Sequence, residues 1–244
     1  MNNKIVLDRL FDKYDLNNND RDYLNSLISP LINNFNFQRR MTNEFFHHAN
    51  ITLGEHILED SIVTYLLSKK YLSKNNDNNY RIDLAVKISM LHDLYTIPWQ
   101  NNKEAKVHHF FSKHGFRHPI EATINAISWY PEIFENRKEA EIIIDGILHH
   151  MFPLPVRRID RKIEKIELKN IDNYNSLSSD NKNFIFNSLN RKKLSILSFT
   201  PSKYKEGKIM AKADRIVSRH QIKNLSSFSA LLTGKNKKLN KKNK

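Results

Sequence analysis

Apolar residues recur every three to four positions along most of the chain, which is the spacing of a buried helix face. The pattern is clearest in GEHILEDSIVTYLLSKKYL, RKEAEIIIDGILHHM and KIMAKADRIVSRHQI. A first helical pair, kinked at Pro30, is predicted over residues 3–36. His118–Pro119 are predicted to begin a later helix, because proline is well tolerated at the first helical position. Asn-rich turns separate the helices and no convincing strand alternation is present, so the sequence predicts an all-α bundle.

The chain divides by composition into three parts. Residues 1–45 are predicted to form an N-terminal helical segment that packs on the core, and residues 46–227 form the main domain. Within that domain, residues from about 158 to 207 are polar, weakly periodic and rich in Lys and Asn, so a polar insertion is predicted before the last core helix. Residues 228–244 form a basic tail that is predicted to be disordered.

The composition limits the chemistry that the protein can perform. With 244 residues and 39% hydrophobic content, the chain is large enough for one well-filled core. It contains no cysteine, which excludes disulfides, thiolate nucleophiles and cysteine-based zinc sites. It also lacks the glycine-rich motifs of nucleotide-binding loops. Any metal ion would therefore be held by histidine and carboxylate, which suits Mn, Fe, Zn or Mg.

The sequence predicts a soluble, cytoplasmic protein. The N-terminal segment MNNKIVLDRLFDKYD lacks the uninterrupted apolar stretch of a signal peptide, and no apolar run approaches the ~20 residues that cross a bilayer. The net charge is +14, and +8 remains after subtraction of the six lysines in Gly234–Lys244. That remainder is compatible with a phosphate-bearing substrate. The basic tail is expected mainly to be solvated, and contact with RNA or an anionic membrane is the alternative.

Histidine and aspartate residues lie on or beside the apolar faces of several predicted helices. Leu84, Ile88, Leu91 and His92 share one helix face, so His92 and the adjacent Asp93 would be directed at the core. One such pair alone is more often a structural hydrogen bond. Other residues in the same setting favour a metal site, because a cation neutralises charge that is costly to bury; they are His56, His118, His149, His150 and Asp214.

The order of these residues resembles the HD-domain superfamily of metal-dependent phosphohydrolases, whose minimal signature is one His, an adjacent His–Asp pair and a late Asp. The chain is similar to small stand-alone bacterial members of that family over about Phe46 to Ser227, in HH followed by EH, LHDLYTIPW, HGFRHP, HHMFPLP and KADR. The resemblance implies an HD-type helical bundle that binds one or two divalent metal ions.

The resemblance also implies a role for each matching residue. One ion would be bound by His56, His92, Asp93 and Asp214. A second ion would be bound by His118, His149 and His150, with Asp93 bridging the two and orienting the water nucleophile. His114 or Arg215 would stabilise the leaving oxygen, and His114 is alternatively a ligand.

Several further residues have expected supporting roles. Arg157 and Arg158, like Arg215, are candidate phosphate clamps because a guanidinium matches phosphate oxygens, although solvated surface is the alternative for the first two. His47 and His48 resemble the upstream pair of the family, or line the pocket. The residues His108, His109 and His220 are expected at the surface or behind the site, and Trp99 and Trp129 are expected to be packing residues.

The implied activity is hydrolysis of a phosphoester of a nucleotide, a cyclic dinucleotide or a related metabolite by metal-activated water. Leu94, Tyr95 and Thr96 stand where nucleotidase branches often carry a glutamate, and HHMFPLP lacks the Gly-Tyr-Pro signature of one cyclic-dinucleotide branch. The substrate therefore stays open. The alternatives are a mononuclear phosphomonoesterase, a metal-bound regulatory or nucleic-acid-binding module without turnover, and a mixed-valent di-iron oxygenase.

Overall fold

The computed structural model describes residues 3–48, 51–96, 114–154, 156–157, 177–189, 197–198 and 200–223. Within these ranges nine α-helices pack as a bundle. They are α1 (Asn3–Lys13), α2 (Asn18–Ile32), α3 (Phe35–Arg40), α4 (Leu53–Asn75), α5 (Ile82–Leu91), α6 (His114–Trp129), α7 (Arg137–His149), α8 (Ser179–Leu189) and α9 (Lys205–Lys223). A short 3-10 helix, Pro131–Phe134, links α6 to α7.

Four helices, α4, α5, α7 and α9, form the centre of the bundle and pack against one another. Each contributes fully or almost fully buried aliphatic side chains, for example Ile62, Ile88, Ile147 and Val217. The helices α1, α2 and α3 cover one side of this centre, and α6 packs against α7. No helix in the described ranges is both long enough and apolar enough to cross a membrane.

The two ends of α4 are set by local sequence. The Thr52 side chain accepts a hydrogen bond from the backbone N–H of Glu55, and the Glu55 side chain accepts one from the backbone N–H of Thr52, which is a capping box. The helix ends where Asn76 adopts a left-handed backbone with φ 46°, a conformation that asparagine tolerates better than most residues. The cap fixes the first turn of α4, which carries His56.

Two glycines lie where α7 and α9 cross closely. A Cβ atom added to Gly207 would lie 2.7 Å from the Cα atom of Gly146, a distance that real Cβ atoms do not reach, so the backbones can approach because Gly207 has no side chain. A Cβ atom added to Gly146 would instead lie 2.7 Å from the side chain of Ile88 on α5. His150 and Asp214 follow these glycines by four and seven residues, so the crossing also positions the segments that carry them.

The predicted helical class is confirmed, with differences at particular elements. The first pair is three helices, and Pro30 lies in the last turn of α2. The helix predicted to begin at His118–Pro119 begins at His114, so the prediction of its start was wrong and Pro119 occupies its second turn. Pro119 has no N–H to donate to the carbonyl oxygen of Gly115 four residues earlier, so α6 forms without that one hydrogen bond in its first turns.

Two short antiparallel strand pairs were not predicted. Phe46–His48 (β1) pairs with Ile51–Thr52 (β2), and Val156–Arg157 (β3) pairs with Leu197–Ser198 (β4). Strands of two or three residues are too short to show an alternating pattern. The three-part division of the chain stays a prediction, because most of the insertion and the whole of the basic tail lie outside the described residues.

Candidate metal centre

Buried histidine and aspartate side chains from five helices converge at the centre of the bundle. The turn after α5 supplies an adjacent pair, α4 supplies two residues one turn apart, and α6, the end of α7 and the middle of α9 supply one each. None is more than 8% exposed; they are His56, Asp60, His92, Asp93, His118, His150 and Asp214.

The first group of donor atoms comes from α4, α5 and α9. His56, Asp60, His92 and Asp214 each offer one atom, and the four atoms all lie within 4.8 Å of one another. His56 Nε2 is 3.6 Å from Asp214 Oδ1, and His92 Nε2 is 3.5 Å from Asp60 Oδ2. Two atoms bound to one ion at roughly 2.0–2.2 Å are separated by about 2.8–4.4 Å, depending on the bond angle. The first group therefore has the dimensions of a metal site.

The second group contains His118 and His150, and Asp93 lies between the two groups. The Nε2 atoms of His118 and His150 are 2.8 Å apart and lie 3.2 and 3.7 Å from Asp93 Oδ1. The other oxygen, Asp93 Oδ2, is 3.9 Å from His56 Nε2 and 3.8 Å from His92 Nε2. Each oxygen of Asp93 thus faces a different group, which is the arrangement of a bridging carboxylate.

Backbone contacts fix the tautomer of two histidines. His92 Nδ1 lies 2.7 Å from the carbonyl oxygen of Ser89, and His150 Nδ1 lies 2.7 Å from that of Ile147. A carbonyl oxygen only accepts hydrogen bonds, so in both rings the proton must be on Nδ1. The Nε2 lone pair is therefore directed at the cluster, as metal ligation requires.

The tautomer of His56 is fixed through a longer chain of hydrogen bonds. Lys13 and Tyr14 both donate to Glu59 Oε1, and the Gln221 amide nitrogen donates to Glu59 Oε2 at 3.0 Å. Because a carboxylate only accepts, the amide oxygen of Gln221 must face His56, whose Nδ1 lies 3.0 Å away. His56 Nδ1 therefore carries the proton, and Nε2 is again left for the cluster.

The charge states of these residues suit a metal site. Burial lowers the pKa of His56, and burial together with the charges of His118 and His92 lowers the pKa of His150 to about 3. Both rings are therefore neutral at pH 7, the form that binds metal. Burial alone would raise the pKa of Asp93, but electrostatic interactions with His92, His118 and His47, together with a hydrogen bond from His118, outweigh burial and hold that pKa well below its usual range.

Asp60 and His92 in the cluster have buried polar atoms that are not satisfied by hydrogen bonds from the described residues. Both carboxylate oxygens of Asp60 and the Nε2 atom of His92 lack a hydrogen-bond partner among the described residues. Burial raises the pKa of Asp60 well above its usual range, and the charges of Asp214, Asp93 and Glu59 raise it further. Unsatisfied buried carboxylates are costly, so this donor set fits a divalent cation, the kind of group that the sequence implies.

Side chains from other helices hold the turn that carries Asp93. Arg40, which is fully buried, donates from Nε and Nη2 to the carbonyl oxygen of Tyr95 at 3.1 and 2.9 Å. Asn125 donates to the carbonyl oxygen of Leu94 at 2.6 Å. The sequence placed His92 and Asp93 inside a helix; α5 ends at Leu91, and these hydrogen bonds replace helical ones in the turn that follows.

Some predicted site residues are not among the donor atoms of the two groups. His149 is not in any of the donor groups found among the described residues, and its Nδ1 contacts the backbone oxygen of Asp145 at 2.9 Å. Arg215 is exposed on α9 and donates to the backbone oxygen of Phe152 at 2.7 Å. The backbones of His114 and Arg157 lie in α6 and β3, but their side chains, like Arg158, His108, His109 and Trp99, lie outside the described residues.

Other histidines line or support the centre. His47 stacks on the ring of His56 with centroids 3.8 Å apart, and its Nδ1 is 3.7 Å from Asp93 Oδ2. The side chain of His48 lies outside the described residues. His220 lies behind the site, with its Nδ1 3.8 Å from Glu59 Oε1. Trp129 is buried and packs against the guanidinium of Arg40.

Sequence reasoning missed Asp60, Glu59 and Gln221. A signal existed for Asp60, because it follows His56 by four residues and thus shares its helix face. Nothing in the sequence connects Gln221 to His56, which is 165 residues away. Comparisons with models of protein families, with curated proteins and with solved structures found no significant match to this chain.

Proposed function

We propose that this protein is a metal-dependent phosphohydrolase of the HD-domain type that acts on a phosphoester of a nucleotide or a related small metabolite. The observation that carries the proposal is the buried convergence of one His, an adjacent His–Asp pair and a late Asp from separate segments, in the order of the HD signature. The tautomers of the histidines add support, because His56, His92 and His150 all direct Nε2 at the cluster.

The arrangement of donors favours two ions over one. His56, His92 and Asp214 would hold the first ion with Asp93 Oδ2, and His118 and His150 would hold the second with Asp93 Oδ1. In this proposal His150 would bind the second ion without His149, whereas the resemblance implies that both His149 and His150 bind it. When bound, two divalent ions supply a water of lowered pKa and offset negative charge on phosphate oxygens.

The chain itself contributes charge and orientation. Neutral imidazoles and ionised Asp93 present lone pairs without competing protons, and the buried turn after α5 holds the Asp93 carboxylate in one position. Arg215 lies on the exposed face of α9, next to Asp214, where its guanidinium is available to a phosphate group. The positive net charge would concentrate anionic substrates near the protein.

The test is a screen of the full chain, stripped of metal and reloaded with Mn²⁺, Fe²⁺, Zn²⁺ or Mg²⁺, against a panel of nucleotides, cyclic dinucleotides and simple phosphoesters. We expect phosphate or nucleotide release that Asp93→Ala abolishes and that Asp83→Asn, at an ion-paired surface residue of α5, leaves unchanged. Turnover by Asp93→Ala at the wild-type rate would refute the assignment.

The same screen separates the other activities that this donor set could serve. Oxygen uptake by the iron-loaded protein without phosphate release would support the di-iron oxygenase instead, since imidazole and carboxylate also suit iron. Salt-sensitive binding of RNA without any turnover would support the regulatory module.

A further inference from the structure

We propose that Asp60 is a metal ligand of the first group, a role that lies outside the HD signature. The inference rests on the metal site of the proposed function but not on the reaction. Asp60 follows His56 by four residues on α4, so the two side chains leave the helix on the same face. Its Oδ2 atom lies 3.5 Å from His92 Nε2, and it shares the group of four donors whose atoms are all within 4.8 Å.

The surroundings of Asp60 differ from those of its neighbour Glu59. Both carboxylates are buried on α4. Glu59 accepts hydrogen bonds from Lys13, Tyr14 and Gln221 and so has a complete set of protein partners. Asp60 is fully buried, and neither of its oxygens has a hydrogen-bond partner among the described residues. A purely structural role would require partners of the kind that Glu59 has.

Charge balance supports a ligand role for Asp60. Three carboxylates, Asp60, Asp93 and Asp214, lie in the cluster, and within the described part of the chain no lysine or arginine forms an ion pair with any of them. When all three carboxylates are ionised, one divalent ion would leave a small net negative charge. Two divalent ions would leave a small net positive charge. Burying three carboxylates together is therefore stabilised when one or two ions are bound, because either number offsets most of their charge.

The additional oxygen ligand has a consequence for metal preference. Without Asp60, the first ion would have the two imidazoles of His56 and His92 and the two carboxylates of Asp93 and Asp214. That set of four suits tetrahedral Zn²⁺. Asp60 adds one more oxygen ligand, which suits Mn²⁺ better because that ion prefers oxygen ligands and a higher coordination number. We therefore infer that the first site is built for Mn²⁺ or a similar ion.

The test compares Mn²⁺ binding by metal-free wild type, Asp60→Asn and the control Asp83→Asn, in the full chain. Calorimetric titration should find two Mn²⁺ sites in the wild type and the control. In Asp60→Asn one of the two should weaken at least about tenfold, with a smaller loss for Zn²⁺. Two sites of wild-type Mn²⁺ affinity in Asp60→Asn would overturn the inference and leave the proposed function intact.

Thermal unfolding with and without Mn²⁺ distinguishes a ligand from a structural carboxylate. Removing an unpaired buried charge should leave metal-free Asp60→Asn at least as stable as the wild type, whereas the rise in Tm caused by Mn²⁺ should shrink. A tenfold weaker site removes about 1.4 kcal/mol of stabilisation at saturating metal. An equal drop in Tm with and without Mn²⁺ would show a structural role and overturn the inference.

Failure of the inference and failure of the proposed function give different results. Wild-type protein that binds Mn²⁺ at two sites, weakened by Asp60→Asn, yet releases no phosphate from any substrate would overturn only the proposed reaction. Wild-type protein that binds none of Mn²⁺, Fe²⁺ and Zn²⁺ would overturn both.

Discussion

Gln221 connects the candidate metal centre to the first helix of the protein, and its replacement gives a quantitative test of that connection. In Gln221→Met the side chain keeps nearly the same length but loses both polar atoms. His56 Nδ1 then loses the amide oxygen that accepts from it at 3.0 Å, and Glu59 Oε2 loses the donor at 3.0 Å. A buried group left unsatisfied costs about 1–3 kcal/mol, so the metal-free protein should lose roughly 2–4 kcal/mol of unfolding free energy.

The same substitution should weaken metal binding. Gln221→Met removes the amide oxygen that accepts from His56 Nδ1, and the other tautomer places the ring proton on the nitrogen that faces the cluster. Partners that orient a ligating histidine typically contribute 10–100-fold to metal affinity. Mn²⁺ affinity measured by calorimetry should therefore fall by that factor, while urea unfolding of the metal-free protein reports the loss of stability.

Two further variants make this prediction specific. The substitution Gln38→Met places the same side chain at an exposed position and should change neither quantity. Gln221→Glu should be worse than Gln221→Met, because it would put a second carboxylate against Glu59 Oε2. If Gln221→Met kept both wild-type stability and wild-type Mn²⁺ affinity, the proposed route from Glu59 to His56 would be wrong.

Three other predictions address packing, protonation and the tail. Gly207→Ala should lower the unfolding free energy by about 1–3 kcal/mol, because the added Cβ meets the backbone of Gly146 at 2.7 Å; an unchanged Tm would contradict the close crossing. The pKa of His150 falls from 6.5 to about 3 on folding, so the unfolded chain binds more protons between those values and metal-free stability should rise with pH across that window. His150→Gln should reduce that rise by up to about 1.4 kcal/mol per pH unit, and an identical urea-unfolding profile from pH 4.5 to 6.5 would argue against a neutral buried ring. Deletion of residues 234–244 should leave thermal unfolding and hydrolysis of a small phosphoester unchanged, since six lysines in that segment act only within ~8 Å in physiological salt; loss of most activity would place the tail in the substrate site.

The sequence predicted the helices well because their signal is local. In α5 and α9 the apolar residues recur at helical spacing, and the predicted core positions Leu84, Ile88 and Val217 are buried. The errors occur where the signal is not local. The start of α6 was placed at a favourable proline, although Pro119 is also tolerated one turn inside the helix. The short strands are set by pairing with distant segments and leave no periodic pattern.

The same distinction between local and distant causes applies to the candidate site. His92–Asp93 could be found because an ionisable pair next to an apolar helix face is unusual in a short stretch of sequence. What prepares a histidine for a metal ion is the acceptor on its other nitrogen. For His92 that acceptor is a backbone oxygen three residues earlier, which follows from the end of α5. For His56 it is a side chain from α9, held by a carboxylate on α4 that is itself held by α1.

The centre is therefore connected to the whole bundle, including a helix that contributes none of the donor atoms in the two groups. Lys13 at the end of α1 and Tyr14 just after it donate to Glu59, Glu59 orients Gln221, and Gln221 fixes the tautomer of His56. Each link is a hydrogen bond to a buried carboxylate or amide, so loss of an early link leaves an unsatisfied group further along the chain. In the proposed metal site, the N-terminal helix, which the sequence predicts only as a cover for the core, would therefore contribute to metal affinity through contacts that no motif contains.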